Sequence, residues 1–264
     1  QASDWSSDVC SSDLARASFD LAMIMYTSGS TGQPKGVMHN FERISAATNG
    51  IVKTLIETMG DRDDGRILSY LPLAHVFERA WVGASSLVHG KTHVYFAESL
   101  DTFIQDLNRA RPTMFISVPR LWLKFQQGVF SKMPPAKLNV LLNIPILGGL
   151  VRKKILKGLG LDQVIVAGSG SAPIPAELIT WYRKLGLNLL EGYAMTEDFA
   201  YSHNSTNEVN APGCVGVPLE GVLARISPEG EILVKSPGQM VGYYKRPDLD
   251  AESFTEDGFF KTGD

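Results

Sequence analysis

The stretch Tyr26-Thr27-Ser28-Gly29-Ser30-Thr31-Gly32-Gln33-Pro34-Lys35-Gly36 follows directly on the apolar run Leu21-Ala22-Met23-Ile24-Met25. Its glycines let the backbone turn with N–H groups inward, and its Ser and Thr hydroxyls add short donors at the same surface. Lys35 adds a mobile positive charge. A strand running into such a loop is built to hold a polyanion, and the phosphates of a nucleotide fit it best. It is not a Walker A loop, which needs Gly-Lys-Ser/Thr after four free positions. Here the lysine follows Pro34, which removes an N–H and biases Gln33 to an extended shape, so no helix starts where Walker A requires one. The plain alternative is a flexible Ser/Gly connection.

Outward from this loop the chain reads as α/β. Leu21–Tyr26 reads as a buried strand, and His39 to Met59 has helical spacing in Ile44, Ala47, Ile51, Leu55 and Met59. Strand-like runs at Ile67–Leu71, Thr92–Phe96, Thr113–Val118, Gln163–Ala167 and Asn188–Leu190 alternate with helical runs at Trp81–His89, Leu100–Ala110, Arg120–Phe130 and Pro175–Leu185. That alternation predicts a mostly parallel sheet flanked by helices. After about residue 212 glycines, prolines and short runs such as Ala224–Ile226 and Glu231–Lys235 predict a small antiparallel β subdomain at the C-terminal end. The domain division expected is 15–211 for the α/β part and 212–264 for the β-rich part.

Composition sets bounds. The chain has 264 residues, 44% of them hydrophobic and 20% charged, which is ordinary for a globular protein. A formal charge of −3 gives no reason to expect nucleic acid or an anionic membrane as partner. Cys10 and Cys214 make neither a disulfide framework nor a zinc site, so a reducing compartment, the cytoplasm, is expected. The apolar stretch Leu138 to Val151 is too short to span a bilayer. It reads as a buried helix followed by a solvated basic turn, Arg152-Lys153-Lys154, with an interfacial helix and peripheral membrane association as the alternative. Gln1 to Leu14 is dominated by Ser and Asp, lacks the basic start and apolar core of a signal peptide, and resembles a translated sequencing adapter; it reads as a non-native leader.

Open α/β sheets bind ligands beyond the carboxyl ends of their strands. Gly168-Ser169-Gly170-Ser171-Ala172-Pro173 follows one predicted strand, and its glycines permit close backbone approach to a flat ring. Glu191-Gly192-Tyr193-Ala194-Met195-Thr196-Glu197 follows another. Tyr193 offers a face for stacking on a base, Thr196 a phosphate donor, and Glu197 a carboxylate for Mg²⁺ bridging phosphates. At the end of the chain, Asp264 follows a Thr-Gly turn and could accept both ribose hydroxyls. Taken singly these are a core tyrosine, a helix cap, a solvated carboxylate and a turn.

In this order the stations resemble the adenylate-forming superfamily of acyl-CoA synthetases, adenylation domains and luciferases. The resemblance runs from about residue 21 to 264. It is carried by Tyr26–Gly36, by Glu191–Glu197, and by Gly230-Glu231-Ile232-Leu233-Val234, Gly242-Tyr243-Tyr244 and Thr262-Gly263-Asp264. Leu71-Pro72-Leu73-Ala74-His75-Val76-Phe77-Glu78-Arg79 and Ser117-Val118-Pro119-Arg120-Leu121-Trp122 look most like long-chain fatty acyl-CoA synthetases.

The resemblance implies an incomplete large domain of an ATP-dependent acid–thiol ligase. A fatty carboxylate would attack the α-phosphorus of ATP, giving acyl-AMP, and coenzyme A would take the acyl group. Thr27, Ser28, Gly29, Ser30, Thr31, Gly32 and Lys35 would form the phosphate loop. Gly168, Ser169, Gly170, Ser171, Ala172 and Pro173 would line the adenine, with Glu191, Gly192 and Tyr193 beside them. Thr196 would contact the α-phosphate, Glu197 would bind Mg²⁺, and Asp264 would grip the ribose. Thr196, Glu197, Lys35 and His75 are the implied catalytic residues. His75 and Trp122 would border the acyl pocket, Trp122 as a tunnel gate or else as a core aromatic. The resemblance also implies that a mobile C-terminal domain is absent, leaving this chain little or no ligase activity. Two other readings stay open, a fatty acyl-AMP ligase or other adenylation domain, and a nucleotide-binding fragment without catalysis. Acyl-chain length and oligomeric state are not readable.

Overall fold

A computed structural model describes residues 17–27 and 33–264 of the protein. The leader Gln1–Leu14 and the loop residues Ser28, Gly29, Ser30, Thr31 and Gly32 lie outside the described residues.

The largest sheet has seven strands, and five of them are parallel: β4 (Thr92–Phe96), β3 (Gly65–Ser69), β5 (Met114–Ser117), β6 (Val166–Ser169) and β7 (Leu189–Tyr193), side by side in that order. Two short antiparallel strands, β8 (His203–Asn204) and β9 (Val217–Pro218), extend it beyond β7. Both faces are covered, as buried parallel strands require. On one face α3 (Phe103–Ala110), α4 (Pro119–Lys132), α5 (Pro135–Asn143) and α7 (Ala176–Lys184) enclose a core containing Leu107, Phe115, Trp122, Leu138, Ile179 and Tyr182. On the other, α1 (Phe41–Met59) and a π-helical turn at Glu78–Ala84 pack Ala47, Ile51, Ala80 and Trp81 against Phe199 and Tyr201. The turn leads into α2 (Ser85–His89). The C-terminal antiparallel sheet is β10 (Leu223–Ile226), β11 (Ile232–Lys235) and β13 (Phe260–Lys261), with α8 (Pro247–Ser253) preceding β13.

Three sequence expectations are corrected. The run before the loop, β1 (Leu21–Thr27), is not a buried strand of the parallel sheet. It forms an antiparallel hairpin with β2 (Lys35–Asn40), to which β12 (Gly242–Tyr243) adds a third strand. Glycine-rich tips serve hairpins and strand–helix turns alike, so the local pattern did not distinguish them. The helix expected from His39 starts instead at Phe41, where Asn40 Oδ1 caps it by accepting the Arg43 N–H at 2.9 Å. The Leu138–Val151 stretch is not one buried helix. It is the end of α5, a break at Pro145, and the start of α6 (Leu147–Gly158), with Val140, Ile146 and Leu150 more than half exposed. Pro145 cannot continue the α5 ladder, and the chain reverses there.

Candidate functional site

The hairpin, β7 and the C-terminal sheet converge on one region. Thr27 and Lys35 face each other as the last pair before the loop, so strand pairing fixes where both ends of the loop lie. At the far end of β2, the buried His39 ring bonds the Thr196 backbone carbonyl through Nε2 at 2.8 Å. This bond holds the hairpin against the Thr196–Asp198 turn. Burial lowers the His39 pKa to about 4, so the ring is neutral and its Nε2 carries the proton.

That burial has a consequence for stability. The unfolded chain takes up a proton on His39 below about pH 6.5, whereas the folded chain does not until about pH 4. The linked stability is therefore whole above pH 6.5 and is lost as pH falls towards 4, by about 2 kcal/mol at pH 5. Urea unfolding at pH 7 and pH 5 should show this loss in the parent and a smaller one in His39→Gln. Equal losses in both proteins would exclude His39 as the cause.

The turn after β7 is tied down by Asp198. Its Oδ1 accepts the backbone N–H of Met195 at 3.0 Å and of Tyr201 at 3.3 Å. Burial pushes this carboxyl up to about 7. With Asp198 turned inward, Glu197 faces the other way, and its Oε1 accepts the Tyr243 hydroxyl proton at 2.9 Å. Lys35 Nζ sits 5.3 Å from the centre of the same Tyr243 ring. One tyrosine thus links the loop lysine and the turn carboxylate. At the other end of the region, the Tyr193 hydroxyl donates to Asp264 Oδ2 at 2.7 Å, and the Tyr193 ring packs edge-on to His203 at 6.0 Å. Burial raises the Tyr193 phenol, keeping it a donor.

Beside Tyr193 and His203 an open cleft lies at the carboxyl ends of β5, β6 and β7, and Lys35, Glu197, Tyr243 and Asp264 are not among its lining residues. One wall is backbone: Gly168, Ser169, Gly170, Ser171, Gly192 and Tyr193. A side chain on Gly168 would press into Ile116 at 3.0 Å, and one on Gly192 would meet Asn204 Oδ1 at 3.4 Å. These glycines keep a flat slot open. The opposite wall is apolar, with Val76, Phe77, Trp81, Ile116 and Ala200, and His75 stands at its edge. His75 Nδ1 accepts the Phe77 N–H at 3.2 Å, which leaves its proton on Nε2, and burial lowers its pKa. The π-helical turn that begins just after this segment is anchored by buried Glu78, which accepts from Ser69 Oγ at 2.5 Å and from Leu71 N–H at 3.3 Å.

Several expected site residues stand apart from the cleft. Trp122 is fully buried behind its floor, donating Nε1–H to the Gly168 carbonyl at 3.1 Å. Glu191 is buried and accepts the Gly213 N–H at 2.8 Å, a link that fixes the following loop. Ala172 and Pro173 are exposed in the approach to α7 and do not line the cleft. Conversely, His39, Asp198, His203, Asn204 and Tyr243 were not singled out from sequence. Tyr243 had a signal in its Gly-Tyr-Tyr setting, but nothing local pairs it with Glu197, 46 residues away.

Residues 3–244 match the AMP-binding enzyme family. The chain belongs to that family. Human long-chain-fatty-acid–CoA ligase 1 is 32% identical over 93% of this AMP-binding chain and 39% of its own length. The carboxylic acid reductase of Mycobacterium tuberculosis is 34% identical over 92% of this chain and 21% of its own. Among solved structures, ATP-bound MatB from Rhodopseudomonas palustris superposes with a TM-score of 0.70 at 28% identity, over 94% of this chain and 46% of that one. The A domain of the Segniliparus rugosus carboxylic acid reductase, solved with AMP and a co-purified carboxylic acid, gives 0.71 at 29%, over 94% and 39%. The chain thus spans about two fifths of the human relative.

Proposed function

We propose that this chain carries the nucleotide and acyl sites of a long-chain fatty acid–CoA ligase, the reaction being that of the whole protein. The observation that carries this reading is that Tyr193, in the wall of the glycine-lined cleft, bonds Asp264, while Glu197, four residues further along, shares Tyr243 with Lys35.

The groups fit a nucleotide. The glycine wall accepts the adenine face, Tyr193 supplies an aromatic partner, and Asp264 accepts from the ribose hydroxyls. Lys35, with Thr27 and the loop between them, neutralises the phosphates. Among the described residues no three His, Cys, Asp or Glu side chains gather into a metal site. Mg²⁺ held by one carboxylate, phosphate oxygens and water needs no such cluster, and Glu197 supplies that carboxylate. When bound, Mg²⁺ screens phosphate charge. The apolar wall around Phe77 and Trp81 receives the acyl end, with neutral His75 offering its Nε2–H near the carboxylate.

In the first step a carboxylate oxygen bonds to the α-phosphorus and pyrophosphate leaves with the electrons of the broken P–O bond. Two anions must be aligned, and negative charge on the phosphoryl oxygens must be offset by Lys35 and Thr196. In the second, the coenzyme A thiolate attacks the acyl carbonyl and AMP departs.

Calorimetric titration of the chain with AMP tests the nucleotide part. Saturable binding is expected, weakened about tenfold by Tyr193→Ala through loss of stacking and of the Asp264 contact. A folded chain giving no heat with AMP would overturn the reading. For the whole protein, palmitate-dependent release of pyrophosphate from ATP tests the acyl part.

A further inference from the structure

The turn that carries Thr196 and Glu197 is closed by a backbone conformation that its own residues disfavour. The Ala200 N–H donates to the Met195 carbonyl at 3.0 Å and the Phe199 N–H to the Thr196 carbonyl at 3.1 Å, the paired closure that usually ends a helix on a left-handed glycine. Here the left-handed residue is Phe199, with φ 54° and ψ 40°, and Ala200 follows it at φ 56°. A side chain makes that conformation costly, so two such residues in succession persist only where their surroundings hold them. Phe199 is fully buried and packs edge-on against His39 at 5.2 Å. The Met240 N–H bonds the Glu197 carbonyl at 2.6 Å, beside the His39 bond to Thr196. The Ala200 carbonyl is held from the π-helical turn, where Trp81 donates its indole Nε1–H to it at 2.9 Å. Trp81 stacks on Phe77, with ring centres 6.3 Å apart and 15° between the planes, and both rings line the apolar wall of the cleft. That wall therefore reaches the Thr196–Glu197 turn through a single indole hydrogen bond.

We propose that Trp81 is a positioning residue for the Thr196–Glu197 turn. Its indole N–H keeps Phe199 and Ala200 left-handed, and through them it fixes the direction in which Thr196 and Glu197 present their side chains. The consequence for ATP rests on the nucleotide reading above; the consequence for the turn does not. The ring of Trp81 fills the apolar wall, while its N–H orders the turn, and phenylalanine in its place keeps the first and loses the second. Glycine at position 200 is the complementary change. It adopts a positive φ without steric cost and needs no bond to hold it there. A side chain that only fills space gains nothing from that glycine, so the pair of substitutions separates the two roles.

Two measurements on the full chain test this. Amide hydrogen exchange, read without nucleotide, should be about fivefold faster at Phe199 and Ala200 in Trp81→Phe than in the parent, the scale of one net hydrogen bond. In the Ala200→Gly background the same change at Trp81 should speed exchange at Phe199 by less than about twofold. Calorimetric titration with ATP and Mg²⁺ should follow the same cycle. Binding should weaken about fivefold on Trp81→Phe alone, and less than about twofold when Ala200→Gly is already present. Exchange that is unchanged in Trp81→Phe would overturn the proposal. Equal losses on both backgrounds would overturn it too, as the mark of a side chain that acts by filling space. So would equal ATP affinity in Trp81→Phe and in a parent that binds. If exchange follows the cycle while the parent gives no heat with ATP, the nucleotide reading falls and the positioning of the turn stands.

Discussion

Trp122→Ala is expected to destabilise the chain by roughly 3–5 kcal/mol, a large share of the about 5–15 kcal/mol that holds an ordinary domain folded. The side chain is fully buried. Its ring lies 4.8 Å from that of Tyr182 and 5.3 Å from that of Phe115, both edge-on. Removing it leaves a cavity that α4, α7 and β5 would have to collapse into, and aromatic neighbours on several sides resist collapse. Two hydrogen bonds hold the residue, one of them to the cleft wall. Its Nε1–H meets the Gly168 carbonyl, and the Tyr182 hydroxyl meets its own carbonyl at 2.7 Å. Trp122→Phe keeps most of the volume but strips the Gly168 carbonyl of its partner, at about 1–3 kcal/mol. A tunnel gate behaves differently, altering fatty-acid binding while sparing stability. Urea unfolding followed by circular dichroism separates the two. Were Trp122→Ala within about 1 kcal/mol of the parent, the core role would be wrong.

Most of the parallel strands were legible because each is a short apolar run bounded by turn residues, while β4 at the sheet edge showed as an alternating run with an exposed face. Their limits moved by one to three residues, as at Val166–Ser169, where the start of the glycine turn itself joins the strand. The hairpin was not legible. A glycine-rich loop after a strand leads into a hairpin as readily as into a helix, and the third strand, which pairs Gly242 with Met38, comes from a distant part of the chain that no local pattern points to. The α5–α6 corner misled for another reason. Apolar content does not say which residues face the core, and Pro145 breaks the stretch so that Ile146 and Leu150 are left exposed. At the site, Tyr193, Glu197 and Asp264 stood out because glycine turns and strand ends expose them. His39 and Asp198 did not, because buried residues that brace a turn carry no local signature. Trp122 and Glu191 carried the right chemistry in the right motifs, yet their side chains face the core.

Glu197→Gln is expected to abolish most of the Mg²⁺ dependence of ATP binding, weakening ATP about tenfold or more in the presence of the ion and little in its absence. The carboxylate faces the region reached by Lys35, and its Oε1 is held by Tyr243 at 2.9 Å, so Oε2 is the oxygen left to meet a cation. Glutamine preserves shape and the hydrogen bond but removes the charge, and a neutral amide is a poor ligand for a hard cation. AMP has no β- and γ-phosphates to bridge and should bind the variant as it binds the parent, which controls for misfolding. Tyr243→Phe tests the positioning of that carboxylate. Loss of one hydrogen bond that only aims the carboxylate predicts a smaller effect on ATP binding, about 1 kcal/mol at most. It should vanish in the Glu197→Gln background, because a tyrosine that acts only by aiming a charge has nothing left to aim. In the whole enzyme the same substitution of Glu197 should lower the adenylation rate by about 10²–10³, the scale for removing one preorganised electrostatic contact. ATP affinity that stays equally Mg²⁺-dependent in Glu197→Gln would remove this residue from the metal site. Additive effects of the two substitutions would show instead that Tyr243 touches the nucleotide directly.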